Sequence, residues 1–450
     1  MIGQDKIYTM IEKVMASSKA DQTEAVVTGD SSGLTRFANS YIHQNVAVDN
    51  AKVTFRVAIG DKIGTASCNS FVLTDLRRAL KSATTIAKRQ KPNPDFGGFA
   101  NPADYQKMET FDQKTSKFSP KQRASKLKRV FAKGAKYDYD MAGALSTGDG
   151  EVAVLNSNGV RCYQQYTSAS INTIATGEDS SGYASGVSVK VDDLDIPKLA
   201  DVAVKKCRKS RNPKSIEPGE YEVILEPAAV SELFEWLSFV SFGSKALEDN
   251  SSFLAGRIGE KVMGETITIA DDALEAANPG LGFDFEGVPK QRIEMISNGV
   301  ARGVVHNLIS AKRAGTESTG HGLPPEEAAE GAIPMNMQLS AGESTVDELI
   351  GEVENGLLVT RFHYINGFLD PRVALMTGMT RDGLFLIKNG KLRGGARNLR
   401  FTDSMLDVFS NVLGMSSERT AVAAWWGSMA CMYVPTIRVG KFKFSGKTDF

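Results

Sequence analysis

The feature that most narrows the possible folds is a plan written twice in the first 215 residues. In the first copy, residues 6–17 show the spacing of an amphipathic helix. Residues 24–28, 34–47, 52–59 and 63–67 carry the period-two alternation of half-buried strands, and 73–88 returns to helical spacing. In the second copy, 120–133 is a helix, 140–146, 151–156, 160–176 and 183–191 are strands, and 196–208 is a closing helix. The two closing helices end alike, in AKRQKPNP and CRKSRNPK. A plan that recurs in this way implies an internal duplication of one α+β unit.

The units occupy 1–95 and 119–215, joined by a stretch over 95–119 rich in Gly, Asn, Pro and Asp. EPGEY at 217–221 marks the next boundary. Beyond it, over 220–450, glycine becomes frequent and strand patterns dominate after one strongly apolar helix near 228–241. The fold class is therefore α+β: a duplicated α+β N-terminal half followed by a β-rich C-terminal domain. Residues 318–334, with adjacent prolines and several acids, read as an exposed loop.

Charge and cysteine use exclude several classes. The formal net charge is zero, which argues against nucleic acid as the main partner. No long uncharged apolar run predicts a transmembrane helix, and the charged N-terminus lacks the layout of a secretory signal. The four cysteines, Cys68, Cys162, Cys207 and Cys431, form no C-x-x-C pair, so zinc ribbons and thioredoxin-like motifs are absent. Isolated thiols fit a reducing, cytoplasmic setting.

The C-terminal half carries VILEPAAVSELFEWLSF, SSFLAGRIGEKVMGETITIADD, FDFEGVPKQRIEMISNGV, ENGLLVTRFHYINGFLDPRVALMTGMTRDGLFLIKNGKL and KFKFSGK, in that order. Their wording and order resemble the C-terminal domain of the TldD/PmbA family across roughly 220–447. The resemblance implies a two-subunit assembly. A TldD-type subunit is a zinc metallopeptidase with an HExxxH helix and a cysteine ligand, and a TldE (PmbA) type lacks those ligands. It also implies cleavage of extended, unfolded or precursor peptides in an enclosed chamber.

Set against HExxxH, the segment SELFEWLSF places Phe234 at the first histidine, Glu235 at the glutamate and Phe239 at the second histidine. Zinc needs three or four converging lone-pair donors, and a benzyl group has none. A glutamate without a metal-bound water has nothing to deprotonate. Val230, Leu233, Phe234, Leu237 and Val240 form an apolar stripe, and Trp236, Phe239 and Phe242 spread apolar character around the helix. Both phenylalanines are therefore expected to refill the site as core. Cys431, in AAWWGSMACMYVPTIRVG, lies near the position implied for the cysteine ligand, but lacks its glycine-rich surroundings and reads as a buried structural thiol. The expected partner is a TldD-type subunit that carries the zinc, with no cofactor in this chain. The alternatives are a stand-alone homodimer that binds peptides without cleaving them and an enzyme that uses a different metal site.

Other candidates have plainer readings. His43, His306, His321 and His363 show no i, i+3 or i, i+4 pairing, and His321 in TGHGLPP is expected to be a solvated loop residue. Asp271, Asp272, Asp284 and Glu286 read as turn and capping carboxylates. There is no G-x-S-x-G and no phosphate-binding loop, and NGKLRGGAR reads as a hairpin turn and loop. Residues 113–137 carry nine Lys or Arg and no acid, which as a helix gives a basic face. The family's historical link to DNA gyrase raises DNA binding, but a solvated helix face is the commoner meaning. Strands bearing Tyr41, Phe55, Tyr163 and Tyr166 could capture an extended peptide if they lie at sheet edges.

Overall fold

A computed structural model describes residues 1–277, 280–424 and 430–448. The N-terminal half contains α1 (Gln4–Met15), β1 (Gln22–Ala38), β2 (Tyr41–Ile59), β3 (Lys62–Cys68) and α2 (Leu73–Arg89). It continues with α3 (Gln113–Ser116), α4 (Pro120–Ala135), β4 (Asp140–Asn156), β5 (Arg161–Thr176), β6 (Ser181–Ser188) and α5 (Ile196–Lys209). The six strands form one antiparallel sheet in the order β3-β2-β1-β4-β5-β6, so the two units join through β1 and β4 at its centre.

The duplication is visible in the packing. In β3, a Cβ on Gly64 would stand 2.1 Å from Ala83 O and 2.3 Å from Ala87 N of α2. In β6, a Cβ on Gly182 would stand 2.2 Å from Ala203 O and 2.4 Å from Cys207 N of α5. Each closing helix thus rests its backbone directly on a strand glycine, and no side chain fits between them.

Several strand boundaries differ from the sequence pattern, two of them for a plain reason. Residues 34–47 are not one strand. Asn39 and Ser40 adopt positive φ (48° and 60°) and make a two-residue hairpin turn between β1 and β2. Alternation continues through such a turn, so period alone hides it. Conversely, 140–146 and 151–156 are one strand, β4, because STGDG continues the ladder against β1 and β5.

The C-terminal half begins with β7 (Gly219–Leu225), α6 (Pro227–Val240), α7 (Ser244–Glu248), β8 (Ile269–Asp271), β9 (Ile293–Ser297), β10 (Val300–Ala301), α8 (Leu308–Ala314), β11 (Met337–Leu339) and α9 (Val346–Gly351). Then follow β12 (Asn355–Asp370), β13 (Leu375–Lys388), β14 (Lys391–Ala396), β15 (Leu399–Ser404), α10 (Met405–Ser410), β16 (Val412–Ala423) and β17 (Cys431–Lys447). The pairings β7–β12–β13–β15–β17–β7 close on themselves as a ring. Alternate residues point inward, and Phe362, Phe401, Phe442 and Phe444 fill the interior as a stack of aromatic rings. The NGKLRGGAR segment is the β13–β14 hairpin, with Asn389 and Gly390 at positive φ.

Two regions read as surface turn inward. Arg123 of the basic segment is 3% exposed and donates to Thr35 Oγ1 (2.9 Å), Phe118 O (2.8 Å) and Thr147 Oγ1 (3.0 Å). The rest of the basic face is solvated or locally paired, as in Lys133–Asp201. His321 is 1% exposed, with Nε2 3.3 Å from Asp271 Oδ1, and burial pulls its imidazole below the usual pKa. Its loop folds inward because the Gly322 N–H donates to Asp284 Oδ2 at 2.6 Å. The partners lie about 40–50 residues upstream, too far for a local pattern to reveal. Only the tip of the 318–334 segment, around 325–330, is exposed as expected.

A buried charge cluster joins the sheet to the C-terminal half. Arg56 of β2 donates Nε to Glu24 of β1 at 2.6 Å and lies 3.4 Å from Glu286. Asp284 accepts from the N–H groups of Glu286 and Val288 (2.9 Å each), the turn role expected of it. Burial pushes the carboxyls of Glu24 and Asp284 up to about 7.

Candidate functional site

Helix α6 starts at Pro227, where a missing N–H costs nothing, and lies against β12 and β17. Its two faces differ. Val230, Leu233, Phe234 and Leu237 are fully buried, and the Phe234 ring meets Phe409 edge-on at 5.5 Å. The other face, through Ala228, Ser231, Glu232, Glu235 and Trp236, walls a cavity of about 310 Å³. The opposite walls are Tyr183 of β6, His363, Tyr364 and Ile365 of β12, and Val422 and Ala423 of β16. The cavity therefore opens between the closed barrel and the last strand of the N-terminal sheet.

The two phenylalanines at the implied histidine positions do not share an environment. Phe234 is core, whereas Phe239 is 36% exposed and packs on Phe368, itself 58% exposed. The expectation that both refill the core is corrected for Phe239. Positions five apart on a helix of 3.6 residues per turn differ by about 140° in azimuth, so one faces inward when the other does not. Glu235 is buried yet lines the cavity. The Cys431 thiol is pushed up to about 12, mainly by burial and further by the Glu235 carboxylate. Of the segment AAWWGSMACMYVPTIRVG, residues 425–429 lie outside the described residues.

Sequence reasoning missed Glu232, Arg361, Asp382 and Tyr183. Glu232 accepts from the Phe362 N–H at 2.6 Å and stands 3.9 Å from Arg361. Arg361 gives Nε and Nη2 to Asp382 Oδ2 at 2.9 and 2.6 Å, and its guanidinium lies 4.5 Å above the Tyr183 ring. Arg361 thus ties barrel strands β12 and β13 to the N-terminal sheet. Burial pushes the Glu232 carboxyl up to about 8, and burial also lowers the His363 imidazole. The available signal was helical spacing: Glu232 and Glu235 are three apart and face the same way.

A second cavity of about 330 Å³ follows the same strand, lined by Val187 and Ser188 at the end of β6, by Val189 and Lys190 just after it, and by Ala421 and Cys431. Strand β6 ends the sheet order, so its outer edge carries no further strand among the described residues. Of the aromatic residues considered for sheet edges, Tyr41 lies on one, since it pairs with β1 on one side and is beyond the reach of β3 on the other, whereas Phe55 lies where β2 is paired on both sides. The β5 stretch with Tyr163 and Tyr166 is covered by the 105–112 segment, through Tyr105 Oη (3.1 Å) and Thr110 O (2.7 Å). A larger depression, about 860 Å³ near Arg257 and Ser404, holds charges already paired locally, as in Lys261–Glu265. No described helix is long and apolar enough to cross a membrane.

Residues 218–446 match the family model described as the PmbA/TldA metallopeptidase C-terminal domain, and 114–211 match that of the central domain. A metalloprotease PmbA homolog of Haemophilus influenzae is 25% identical over 441 residues, covering 90% of each chain. An uncharacterised protein of Methanocaldococcus jannaschii is 25% identical over 283 residues, 61% of this chain. The matches span 64% of that archaeal protein and 33% of the metalloprotease TldD homolog of H. influenzae. Among solved structures, TldE from Thermococcus kodakarensis superposes with a TM-score of 0.87 at 22% identity, covering 97% of this chain and all of that one. A proposed modulator of DNA gyrase from Thermotoga maritima also gives 0.87, at 19% identity, covering 98% of this chain and all of that one.

Proposed function

The chain belongs to the PmbA/TldD metallopeptidase family, and on that premise we propose that it is the TldE/PmbA-like, non-catalytic subunit of a two-subunit metallopeptidase. The observation that carries the reading is the setting of Phe234, a hydrocarbon ring that is fully buried against Phe409 where the first histidine is implied. The residues present do not fit a zinc ion. A phenyl ring offers no lone pair, and among the described residues no three His, Cys, Asp or Glu side chains converge as a metal would need. The zinc would therefore reside in a TldD-type partner, with this chain helping to enclose the peptide.

The route for that peptide is the β6 edge. An extended segment added there would pass both cavities, taking backbone hydrogen bonds that do not depend on its sequence. The test is co-expression with a TldD-type subunit, followed by size exclusion and cleavage of an unfolded substrate such as casein. A stable complex, active above the partner alone, supports the reading. Failure to associate, with the partner fully active by itself, refutes it and favours the stand-alone homodimer. Zinc retained stoichiometrically by this chain through dialysis refutes it as well.

A further inference from the structure

Resting on that peptide-binding reading, we propose that the cavity beside α6 receives an aromatic side chain of the bound peptide. Trp236, Tyr364 and His363 supply rings to its wall, and Ile365, Val422 and Ala423 supply aliphatic surface. Aromatic pairs gain from edge-to-face and offset contact beyond the apolar area they bury. The rings are set in place before any ligand arrives. Trp236 sits directly on the backbone of β12, where a Cβ on Gly367 would stand 2.8 Å from its Cε3 atom, and Phe368 meets the indole edge-on at 5.3 Å. Beside it, β12 loses its register with β13 between His363 and Asn366, and Tyr364 takes a φ of 50°, a conformation that bulky residues rarely adopt. Tyr364 lines the cavity there and is 77% exposed. An aromatic ring held out to solvent on a costly backbone conformation is a mark of a binding surface. A cavity of about 310 Å³ lies at the lower end of the range for ligand pockets, which suits one ring and its neighbouring backbone.

The charged groups around the cavity are satisfied within the chain, so none calls for an ion. Arg361 gives two hydrogen bonds to Asp382 and covers a face of the Tyr183 ring. Glu232 accepts from the Phe362 N–H at 2.6 Å, and Glu235 also has a partner within the chain. Burial pushes the Glu232 carboxyl up to about 8, so it holds its proton at pH 7, and burial lowers the His363 imidazole, which is uncharged there. An arriving ammonium or carboxylate would shed its water for a wall with no free counter-charge among the described residues. An aromatic ring needs no such partner. Tyr183 of β6 lines the same cavity, and a segment added to that edge sends alternate side chains to one side. The preference is therefore a property of a single position in the peptide.

The test is calorimetric titration of the full chain at pH 7 with blocked glycine–serine peptides that differ at one central position: phenylalanine, cyclohexylalanine, alanine or lysine. Cyclohexylalanine keeps the size and apolar surface of phenylalanine without its π-system. The phenylalanine peptide is expected to bind about tenfold tighter than the alanine peptide and about threefold to tenfold tighter than the cyclohexylalanine peptide. The lysine peptide should bind no tighter than alanine. Tyr364→Asn, a residue that tolerates positive φ at this exposed position, should at least halve the ratio of phenylalanine to cyclohexylalanine affinity. Trp236→Leu should bring that ratio near one, and if this half-buried position does not bear the change, Tyr364→Asn decides alone. Equal affinity for phenylalanine and alanine overturns the receptor while leaving peptide binding in place. Equal affinity for phenylalanine and cyclohexylalanine, a lysine peptide that matches the phenylalanine peptide, or an unchanged ratio in Tyr364→Asn overturns it too. If none of the peptides binds, both the receptor and the reading beneath it fail.

Discussion

Arg56→Met tests the charged joint between the sheet and the C-terminal half. Methionine keeps most of the side-chain volume near Phe99, whose ring centroid lies 5.5 Å from the guanidinium. It removes the cation shared by Glu24 and Glu286, which are 0% and 5% exposed. In the unaltered protein Glu24 and Asp284 hold protons in the folded state up to about 7, above their unfolded values. Their contribution to stability is complete below the unfolded pKa and is lost as pH rises through about 7. Arg56 pulls the Glu24 carboxyl down against the effect of burial, so removing it makes the folded carboxyl hold its proton to higher pH. Below about 7 both proteins bury the same neutral carboxyl, and the variant loses only the hydrogen bonds of the guanidinium, about 1–3 kcal/mol. Above about 7 the unaltered protein ionises Glu24 beside Arg56 and the variant does not, so the loss grows by up to about 1.36 kcal/mol for each further pH unit. The loss at pH 9 should therefore exceed that at pH 6 by about 2–3 kcal/mol. Urea unfolding of both proteins at the two pH values, followed by far-ultraviolet circular dichroism, gives the difference. An equal loss at both pH values refutes the argument.

Gly64→Ala and Gly182→Ala should each destabilise by about 2 kcal/mol or more, because a methyl group there displaces the backbone of α2 or α5; thermal unfolding at or above the unaltered midpoint would contradict the packing. Phe234→Ala should cost about 3–5 kcal/mol and Phe239→Ala under about 1.5 kcal/mol, since only the first ring is core; comparable losses in denaturant titrations would count against the two-faced helix. Phe234→His should lose stability without gaining a metal, and a stoichiometric zinc ion found by elemental analysis of that variant would undo the account of the site.

The repeat and the burial of α6 were legible because each rests on local periodicity. The hairpin at Asn39–Ser40 was not, because two residues at positive φ interrupt no apolar alternation. The site was legible in part. The helix is plain from its apolar spacing, but the family motif points to Phe234, which faces away from the cavity, and not to Glu232, which lines it. Arg361 and Asp382 carried no signal, since each acquires meaning only from strands brought together across the barrel.

The sequence by itself determined the main helices and strands of the N-terminal half and that this half is built twice, and the family resemblance set hydrocarbon rings at the implied histidine positions. The first two follow from spacings within a few residues, the third from side-chain chemistry on the premise of that resemblance. Only the tertiary structure decided that the two units share one sheet, and that His321 and Arg123 are interior. It alone brought Glu232, Glu235, His363 and Tyr183 around one cavity, and Arg361 onto the Tyr183 ring. Those outcomes depend on contacts between residues dozens to hundreds of positions apart, where burial and charge pairing are set by the whole assembly of strands and not by any local pattern.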